Sequence, residues 1–193
     1  LFRSLGYNPD GPAYSFDLDR CREELATAWG GTLPESGFRV QFAYNAGNTF
    51  RQTVGEILQA NLDAVSADNP TPGNYVVEVI GLPWANFLRN QREARLPIFA
   101  SGWIEDIHDP HNWVQPFLVG TFANRMGLPD DVKAQFQELI DAAVVSTDPA
   151  ERQAIYEQIT QLDYENVVGV RLVLASSRRY EQRWVKGYYY NPA

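Results

Sequence analysis

The feature that most constrains the fold is a run of strand, helix and strand patterns in the first half of the sequence. Residues 38–44 alternate apolar and polar side chains, as a half-buried strand does. From Asn48 the apolar residues recur at helical spacing, and a loop rich in Pro, Asn and Gly then leads into the apolar run 75–80. A strand, a helix and a second strand in this order predict a right-handed crossover between parallel strands, and therefore an α/β fold.

Further elements are predicted on either side of this unit. Residues 17–29 repeat apolar side chains at helical spacing, with Asp17 as the N-cap. Cys21 lies on the apolar face of this helix, so we interpret it as a small core residue and not as a nucleophile. A short helix should start near Pro83, and residues 96–103 should form a third strand of the same sheet.

The second half of the chain is predicted to be more helical. Residues 106–127 show no periodicity and are expected to form a long irregular segment, which is usually functional in a compact domain. Two helices should follow, one after Pro129 and one capped by Asp148. Two closing strands are predicted at residues 167–175 and 184–190. The expected architecture is a mixed, partly parallel sheet flanked by helices.

The charge balance restricts the partners of the protein. The chain has 24 acidic and 16 basic residues and a net charge of -8, which argues against binding to a nucleic-acid backbone as its main activity. Residues 176–193 are locally basic and aromatic, but a strand packed on its own acidic domain explains this tail better than a nucleic-acid site does. A single cysteine excludes an internal disulfide framework, and no apolar run is long enough to cross a bilayer.

The densest cluster of chemically active side chains lies within residues 102–117. It contains both histidines of the chain and three carboxylates, namely Glu105, Asp106, His108, Asp109 and His111. Imidazole and carboxylate groups at short spacing can bind zinc or iron. One hypothesis is therefore a metal-dependent hydrolase that uses Asp106, His108, Asp109 and His111. The spacing does not match HExxH, and Pro110 prevents the two histidines from sharing a helix. A polar turn capped by Asp109 is the simpler interpretation.

Other catalytic patterns are missing from the sequence. There is no GxSxG elbow, no phosphate-binding P-loop and no GxGxxG. Neighbouring residues of a strand point to opposite faces, so Glu105 and Asp106 are not expected to work as an acid–base pair. The sequence therefore predicts neither a catalytic residue nor a cofactor.

Six segments follow one another in an order that is similar to a known family. They are FDLDRCREELATA, RQTVGEILQANLDAV, PWANFL, GWIEDIHDPHNW, DPAERQAIYEQITQLDYENV and WVKGYYYNP. In this order they resemble the C-terminal lobe of the family 5 extracellular solute-binding proteins, the peptide and nickel receptors of ABC importers. The resemblance covers nearly the whole chain, and the GW pair followed by an acidic turn with Asp-Pro is its most specific part.

The resemblance implies a fold and a set of ligand-binding residues. The family fold is a two-lobed, periplasmic-binding-protein-like clamshell, of which residues 1–193 would form the C-terminal lobe. In peptide-binding members an Asp three residues after the Trp of the GW motif holds the ammonium group of the ligand, and this position corresponds to Asp106. Trp103 and Trp84 correspond to the aromatic walls of the side-chain pockets. Ordinary core packing is the alternative for both indoles, and a turn cap is the alternative for Asp106.

The sequence departs from the family pattern in two places. The usual motif has Ala-Asp-Tyr where this chain has Glu105, Asp106 and Ile107, which adds a charge and removes an aromatic ring. The ligand therefore need not be an ordinary peptide. The segment 66–74 is also longer and richer in proline than the usual turn before the second strand. This difference affects a loop and not the core.

From the resemblance we expect a non-enzymatic receptor. It would bind a peptide or another amine-bearing small molecule for import, together with an N-terminal lobe and an ABC transporter permease. It would be extracytoplasmic, in the periplasm or at the cell surface, and anchored to the membrane as a lipoprotein. The sequence starts without an initiator Met or a secretory signal, which favours an excised or processed part of a longer protein.

Overall fold

The computed structural model describes residues 8–173 and 180–187, which form two compact units. The first, here called the sheet unit, comprises Ala13–Trp103 and Thr121–Leu128. The second, here called the helical unit, comprises the described residues among 8–12, 104–120, 129–173 and 180–187. Among the described residues no helix has the length and apolarity that a membrane span requires.

Eight helices and three strands make up the two units in the described residues. Those of the sheet unit are α1 (Leu18–Thr27), α2 (Leu33–Ser36), β1 (Phe38–Asn45), α3 (Thr49–Ala67), β2 (Tyr75–Leu82), α4 (Trp84–Arg92), β3 (Ile98–Phe99) and α6 (Thr121–Arg125), with a short 3₁₀ stretch at Ala28–Gly31. Those of the helical unit are α5 (His111–Val114), a π-helical turn (Gln115–Val119), α7 (Asp130–Val145) and α8 (Pro149–Asn166).

The three strands form a parallel sheet in the order β2–β1–β3. β1 and β2 pair over their whole length, from Phe38 opposite Tyr75 to Asn45 opposite Leu82. The predicted parallel crossover through α3 is therefore confirmed, as is the α/β class. All strand pairs in the described part of the chain are parallel, so the mixed character that the closing strands were expected to add is not observed there.

One face of the sheet is covered by α3. The backbone of Gly55 lies so close to Phe42 and Val79 that a Cβ added there would come within 2.6 Å of the Phe42 ring. Beside it, buried Val65 and Tyr75 pack together with α1. Cys21 lies in this cluster as predicted, and burial raises the pKa of its thiol. Side chains on this face alternate with those on the other face along each strand.

The opposite face is covered by α4 over the carboxyl half of the strands. Ala43 of β1 and Phe87 of α4 are completely buried there, together with Leu96. The amino half of the same face is polar, because Arg39 forms an ion pair with Glu78 across β1 and β2. α3 and α4 therefore lie on opposite faces of the sheet, and both start where a strand has just ended.

Side-chain caps begin three of the described helices, and two of them, Asp17 and Asp148, are the caps that the sequence predicts. The Asp17 carboxylate accepts a hydrogen bond from the backbone of Arg20, and the Asn48 side chain accepts one from Arg51. Asp148 accepts one from the Ala150 backbone at 2.9 Å, with Pro149 in the first turn of α8. These bonds satisfy N–H groups that the first turn of a helix leaves free.

The core of the helical unit lies between α7 and α8. Phe136 and Ile140 of α7 and Tyr156 and Ile159 of α8 are buried at 2% exposure or less. They come from the apolar stripes that predicted these two helices. The helical unit therefore has a core of its own.

Two predicted features between residues 96 and 127 are wrong in extent. The third strand covers only Ile98–Phe99, because Pro97 has no N–H to donate and β1 is the only described strand beside it. Residues 106–127 are not wholly irregular, since α5, the π-helical turn and α6 lie within them. Helices of four or five residues are too short to show a period in the sequence.

The two closing strands are also wrong where the structure describes them. Residues 167–173 and 184–187 are not strands, and Val170, Leu172 and Trp184 are exposed. Val167 adopts a left-handed conformation at the end of α8, which turns the chain out of the helix. Residues 174–175 and 188–190 of these predictions lie outside the described residues.

Candidate functional site

The carboxyl ends of the strands carry the candidate site of the sheet unit. In an open parallel sheet, ligands bind beyond the carboxyl ends of the strands, at the point where the strand order reverses. In this sheet the connection after β1 leads to β2 on one side, while β3 lies on the other. The loop after β1 and the segment after β3 thus border the position that this rule selects.

Arg51 occupies this position. It lies in the first turn of α3, and its Nη1 donates a hydrogen bond of 2.6 Å to Oδ1 of Asn45 at the end of β1. Its Nη2 lies beside Gly102, where an added Cβ would come within 3.0 Å of it. The guanidinium is therefore held between the loops that follow β1 and β3, and a side chain at residue 102 would displace it.

Arg51 is a partly buried cation without an acidic partner among the described residues. Burial lowers the pKa of its guanidinium, and within the described residues no carboxylate lies within ion-pair distance of it. It is also a cation at the positive end of the α3 dipole, which disfavours it further. A partly desolvated cation with no counter-ion is well suited to bind an anionic group of a ligand.

Trp84 is the first residue of α4 and follows directly on the end of β2. Its indole stacks on the buried ring of Phe87, with centroids 5.8 Å apart and an interplanar angle of 12°. More than half of its surface, 55%, stays exposed. The indole is therefore only partly covered by the core, and more than half of its surface is accessible where α4 follows β2.

Trp103 lies four residues after β3 and is half-buried. Its ring meets Phe122 of α6 edge to face, with centroids 5.7 Å apart and an angle of 84°. Trp84, Trp103 and Arg51 thus all belong to the sheet unit and follow the carboxyl ends of its strands. The sheet unit therefore offers a cation and two aromatic rings at this edge.

Asp106 belongs to the helical unit, in the turn after Trp103. Its backbone N–H donates to Oδ1 of Asn112 at 3.0 Å, which fixes the turn. Its carboxylate is exposed and has neither a hydrogen bond nor an ion pair to any described residue. Nothing within the described structure neutralises this charge, so it is free to bind a cation from outside.

The neighbouring side chains of the acidic turn have structural partners. Glu105 accepts hydrogen bonds from the Trp113 indole N–H at 3.2 Å and contacts His108 Nδ1 at 3.0 Å, and these partners lower its pKa. Asp109 accepts from the backbone N–H of His111 and forms an ion pair of 3.1 Å with Arg152 of α8. The Asp109 turn is therefore confirmed.

The metal-dependent hydrolase hypothesis has no geometric support. Within residues 8–173 and 180–187 no three His, Cys, Asp or Glu side chains are placed to hold one metal ion. Asp109 is engaged by Arg152, and His108 contacts Glu105, which is not one of the proposed ligands. The four residues Asp106, His108, Asp109 and His111 share a turn, but they do not form a metal site.

Arg51 was not predicted from the sequence, although a signal for it exists. A basic residue in the first turn of a helix opposes the helix dipole, so it conflicts with the local preference. Such a conflict, directly after a strand of a predicted parallel sheet, is the kind of departure that functional sites show. Gly102 is the second missed residue, because its role is only visible once Arg51 is seen beside it.

Two curated proteins are similar to this chain in sequence. The heme-binding protein A of Haemophilus influenzae is 24% identical over 152 residues, which are 79% of this chain and 26% of that protein. The di/tripeptide-binding protein 4 of Pseudomonas aeruginosa is 24% identical over 192 residues, which are 97% of this chain and 34% of that protein. The chain thus spans about a third or less of the length of these relatives. No protein-family model matches the chain.

Solved structures give the fold independently. HbpA2 from Haemophilus parasuis superposes with a TM-score of 0.69 at 24% identity, over 86% of this chain and 31% of that one. The ABC transporter-associated periplasmic binding protein DppA from Helicobacter pylori, in complex with the peptide STSA, gives a TM-score of 0.67 at 20% identity, over 86% and 30%. The chain therefore has the fold of one part of the periplasmic binding proteins of the peptide-, nickel- and heme-binding group, and the predicted resemblance is confirmed at the level of the fold.

Proposed function

We propose that this chain forms one wall of the ligand cleft of a solute-binding protein that serves an ABC importer. The observation that carries the proposal is Arg51, a partly buried cation without a described counter-ion at the carboxyl edge of a parallel sheet. Its position follows the general rule for ligand sites in such sheets. The names of the relatives, which describe binding proteins, support the same class.

The ligand that fits this wall carries a carboxylate and an apolar or aromatic part. A guanidinium binds a carboxylate through two parallel hydrogen bonds, and this geometry is specific. The exposed indole of Trp84 and the half-buried indole of Trp103 would add apolar contact. Peptides and heme both carry carboxylates, which is consistent with the ligands in the names of the two relatives.

Asp106 is the proposed partner of a ligand ammonium group. Its carboxylate is exposed and has no described partner, so an ammonium group could reach it without displacing another cation. A charge-assisted contact of this kind contributes about 1.5–3 kcal/mol when water is excluded from it. The effect of Asp106 on binding distinguishes the candidate ligands, because a peptide has a free amine and heme has none.

The other components of the system belong to the same proposal. Because the relatives are about three times as long as the chain, we infer that a second lobe of the same protein would provide the opposite wall of the cleft. The complete protein would act outside the cytoplasm, held at the membrane by a lipid anchor, and would deliver its ligand to a permease. It would have no catalytic activity.

Calorimetry on the complete protein that contains this chain tests the two charged contacts. The probes are L-alanyl-L-alanine, its C-terminal amide, its N-acetyl derivative, and hemin. Arg51→Gln should weaken dialanine binding about 10- to 100-fold and leave the binding of the amide nearly unchanged. In the helical unit, Asp106→Asn is judged separately: it should weaken the binding of the amide about 10- to 100-fold, because this probe keeps the ammonium group and has no carboxylate, and it should spare the N-acetyl derivative.

The matched control is Arg89→Gln, which removes an exposed cation at the other end of α4. It should leave every affinity unchanged. Equal affinities of wild type and Arg51→Gln for dialanine and hemin would refute the proposed anion contact. If hemin binds, dialanine does not, and Asp106→Asn has no effect, the role of Asp106 is wrong.

A further inference from the structure

A buried amide in the sheet unit has one polar atom without a hydrogen-bond partner among the described residues. Gln91, near the end of α4, is 2% exposed and is the one polar residue that is fully buried among the described residues. Its Nε2 is buried and has no hydrogen-bond partner there, while its Oε1 lies 3.4 Å from Nη1 of Arg125. Burying half of an amide without a partner destabilises a protein, so packing alone would favour an apolar residue at this position.

Arg125 connects this amide to an aromatic ring. It lies at the end of α6, and the centre of its guanidinium is 4.9 Å from the centroid of Phe122. Burial lowers the pKa of Arg125, and the nearby charge of Arg92 lowers it further. No carboxylate of a described residue lies within 4.0 Å of its guanidinium. The amide and the ring are therefore its observed contacts.

Phe122 in turn contacts the candidate ligand residue Trp103. The two rings meet edge to face at 5.7 Å, which places the edge of one ring on the face of the other. Gln91, Arg125, Phe122 and Trp103 thus form a continuous series of contacts inside the sheet unit. Trp84 lies at the start of α4, the helix that carries Gln91. One candidate indole therefore belongs to α4, and the other is linked to it through this series of contacts.

We propose that Gln91 and Arg125 are positioning residues that hold the Trp103 indole in one orientation before a ligand arrives. The proposal rests on the proposed function in so far as Trp103 contacts the solute. An aromatic wall that is fixed in advance loses less conformational freedom on binding, which raises affinity without a new contact. It also explains why a polar side chain is buried in α4 at a position where an apolar one would pack better.

The experiment first observes the indoles without any ligand. The complete protein that contains this chain is labelled with 5-fluorotryptophan, and the Trp103 and Trp84 fluorine signals are assigned with Trp103→Phe and Trp84→Phe. Arg125→Met, which removes the guanidinium and keeps an unbranched side chain similar to the arginine stem, should shift and broaden the Trp103 signal and leave the Trp84 signal in place. Gln91→Met should do the same, although it removes an unsatisfied buried amide and should not lower the melting temperature.

The second measurement is the affinity for dialanine. We expect Arg125→Met and Gln91→Met to weaken it about 3- to 10-fold, and Arg125→Lys to retain most of it. Arg89→Met, on the exposed side of the same helix, is the control and should change neither the Trp103 signal nor the affinity. If Arg125→Met fails to fold, the comparison of wild type with Gln91→Met and Arg125→Lys decides the question.

The outcomes separate the two proposals. An unchanged Trp103 signal in both Arg125→Met and Gln91→Met overturns the positioning role, even if the protein binds dialanine. An altered signal with reduced affinity supports it. If the signal changes but neither dialanine nor hemin binds to the wild type, the positioning role is supported and the proposed function fails.

Discussion

Asp109 shows how a single carboxylate organises the acidic turn of the helical unit. It accepts a hydrogen bond from the His111 backbone at 2.9 Å and an ion pair from Arg152, whose Nε also donates to the Ala143 carbonyl at 2.9 Å. Asp109 therefore connects the turn to α8, and through Arg152 to the end of α7. The exposed Asp106 is presented by a turn that is fixed at this point.

Replacing Asp109 by Asn should lower the free energy of unfolding by about 1–2 kcal/mol at pH 7, because a partly exposed charged contact is lost. Burial would raise the Asp109 pKa, but the His111 N–H and the Arg152 guanidinium outweigh it and lower the pKa. The folded state thus favours the ionised form, and the contribution is complete above the unfolded pKa of about 3.9. The difference between Asp109→Asn and wild type should shrink as the pH falls below about 4, as measured by urea unfolding.

Asp106→Asn is the matched control for this measurement, because the Asp106 carboxylate has no described partner. It should change the stability by less than about 0.5 kcal/mol at pH 7. A difference for Asp109→Asn that stays constant down to pH 2 would show that the ion pair with Arg152 does not stabilise the fold.

At the scale of elements, the packing of α3 on the sheet depends on one missing side chain. Gly55→Ala would place a Cβ 2.6 Å from the Phe42 ring and 2.9 Å from Cγ1 of Val79. Alanine is the better helix former by about 1 kcal/mol, but overpacking in a core costs about 1–3 kcal/mol. We expect the steric effect to dominate and the urea midpoint to fall.

Thr53→Ala is the control for Gly55→Ala, since it changes an exposed residue of the same helix. It should be neutral or slightly stabilising. If Gly55→Ala is as stable as Thr53→Ala, α3 is not in close contact with the sheet at this position.

The elements that could be predicted from the sequence are those whose signals are local. α3 has an Asn48 cap and a long apolar stripe. β1 alternates apolar and polar residues and β2 is an apolar run, and each of these patterns is visible within its own segment. β3 could not be delimited, because its length depends on how much of β1 remains free to pair with it. Residues 167–173 have the composition of a strand, but a strand also needs a partner, and the sequence does not show where one lies.

The residues of the candidate site also differ in whether the sequence alone could predict them. Trp84, Trp103 and Asp106 could be named because they stand in a recognisable motif, and the structure leaves Trp84 and Asp106 exposed as a binding role requires. Arg51 and Gly102 are 51 positions apart, and only the pairing of β1 with β3 brings them together. A contact of this kind depends on tertiary structure and has no local signature.

At the scale of the whole molecule, several apolar residues are exposed side by side in the part of the chain that the structure describes. Val170, Leu172 and Val173 are 60%, 52% and 68% exposed. Apolar residues that are exposed side by side favour association. We expect the chain to show a weight-average mass above 21.8 kDa that rises with concentration in light scattering.

The double variant Val170→Ser, Leu172→Ser should reduce this association and leave the melting temperature within a few degrees of wild type. Ile57→Ser, which changes an exposed apolar residue on α3, is the control and should have a smaller effect. A mass of 21.8 kDa at all concentrations would show that this surface does not self-associate.

The Arg51 guanidinium beside Gly102, which has no counter-ion among the described residues, has a practical consequence for the purification of this protein. Citrate, acetate and phosphate resemble the group that we expect Arg51 to receive, so these buffer ions would occupy the same place and compete with the ligand. An apparent affinity measured in citrate would then be weaker than one measured in a zwitterionic buffer at the same pH. In crystals grown from such salts we expect the buffer ion to bind at Arg51 in place of the natural ligand.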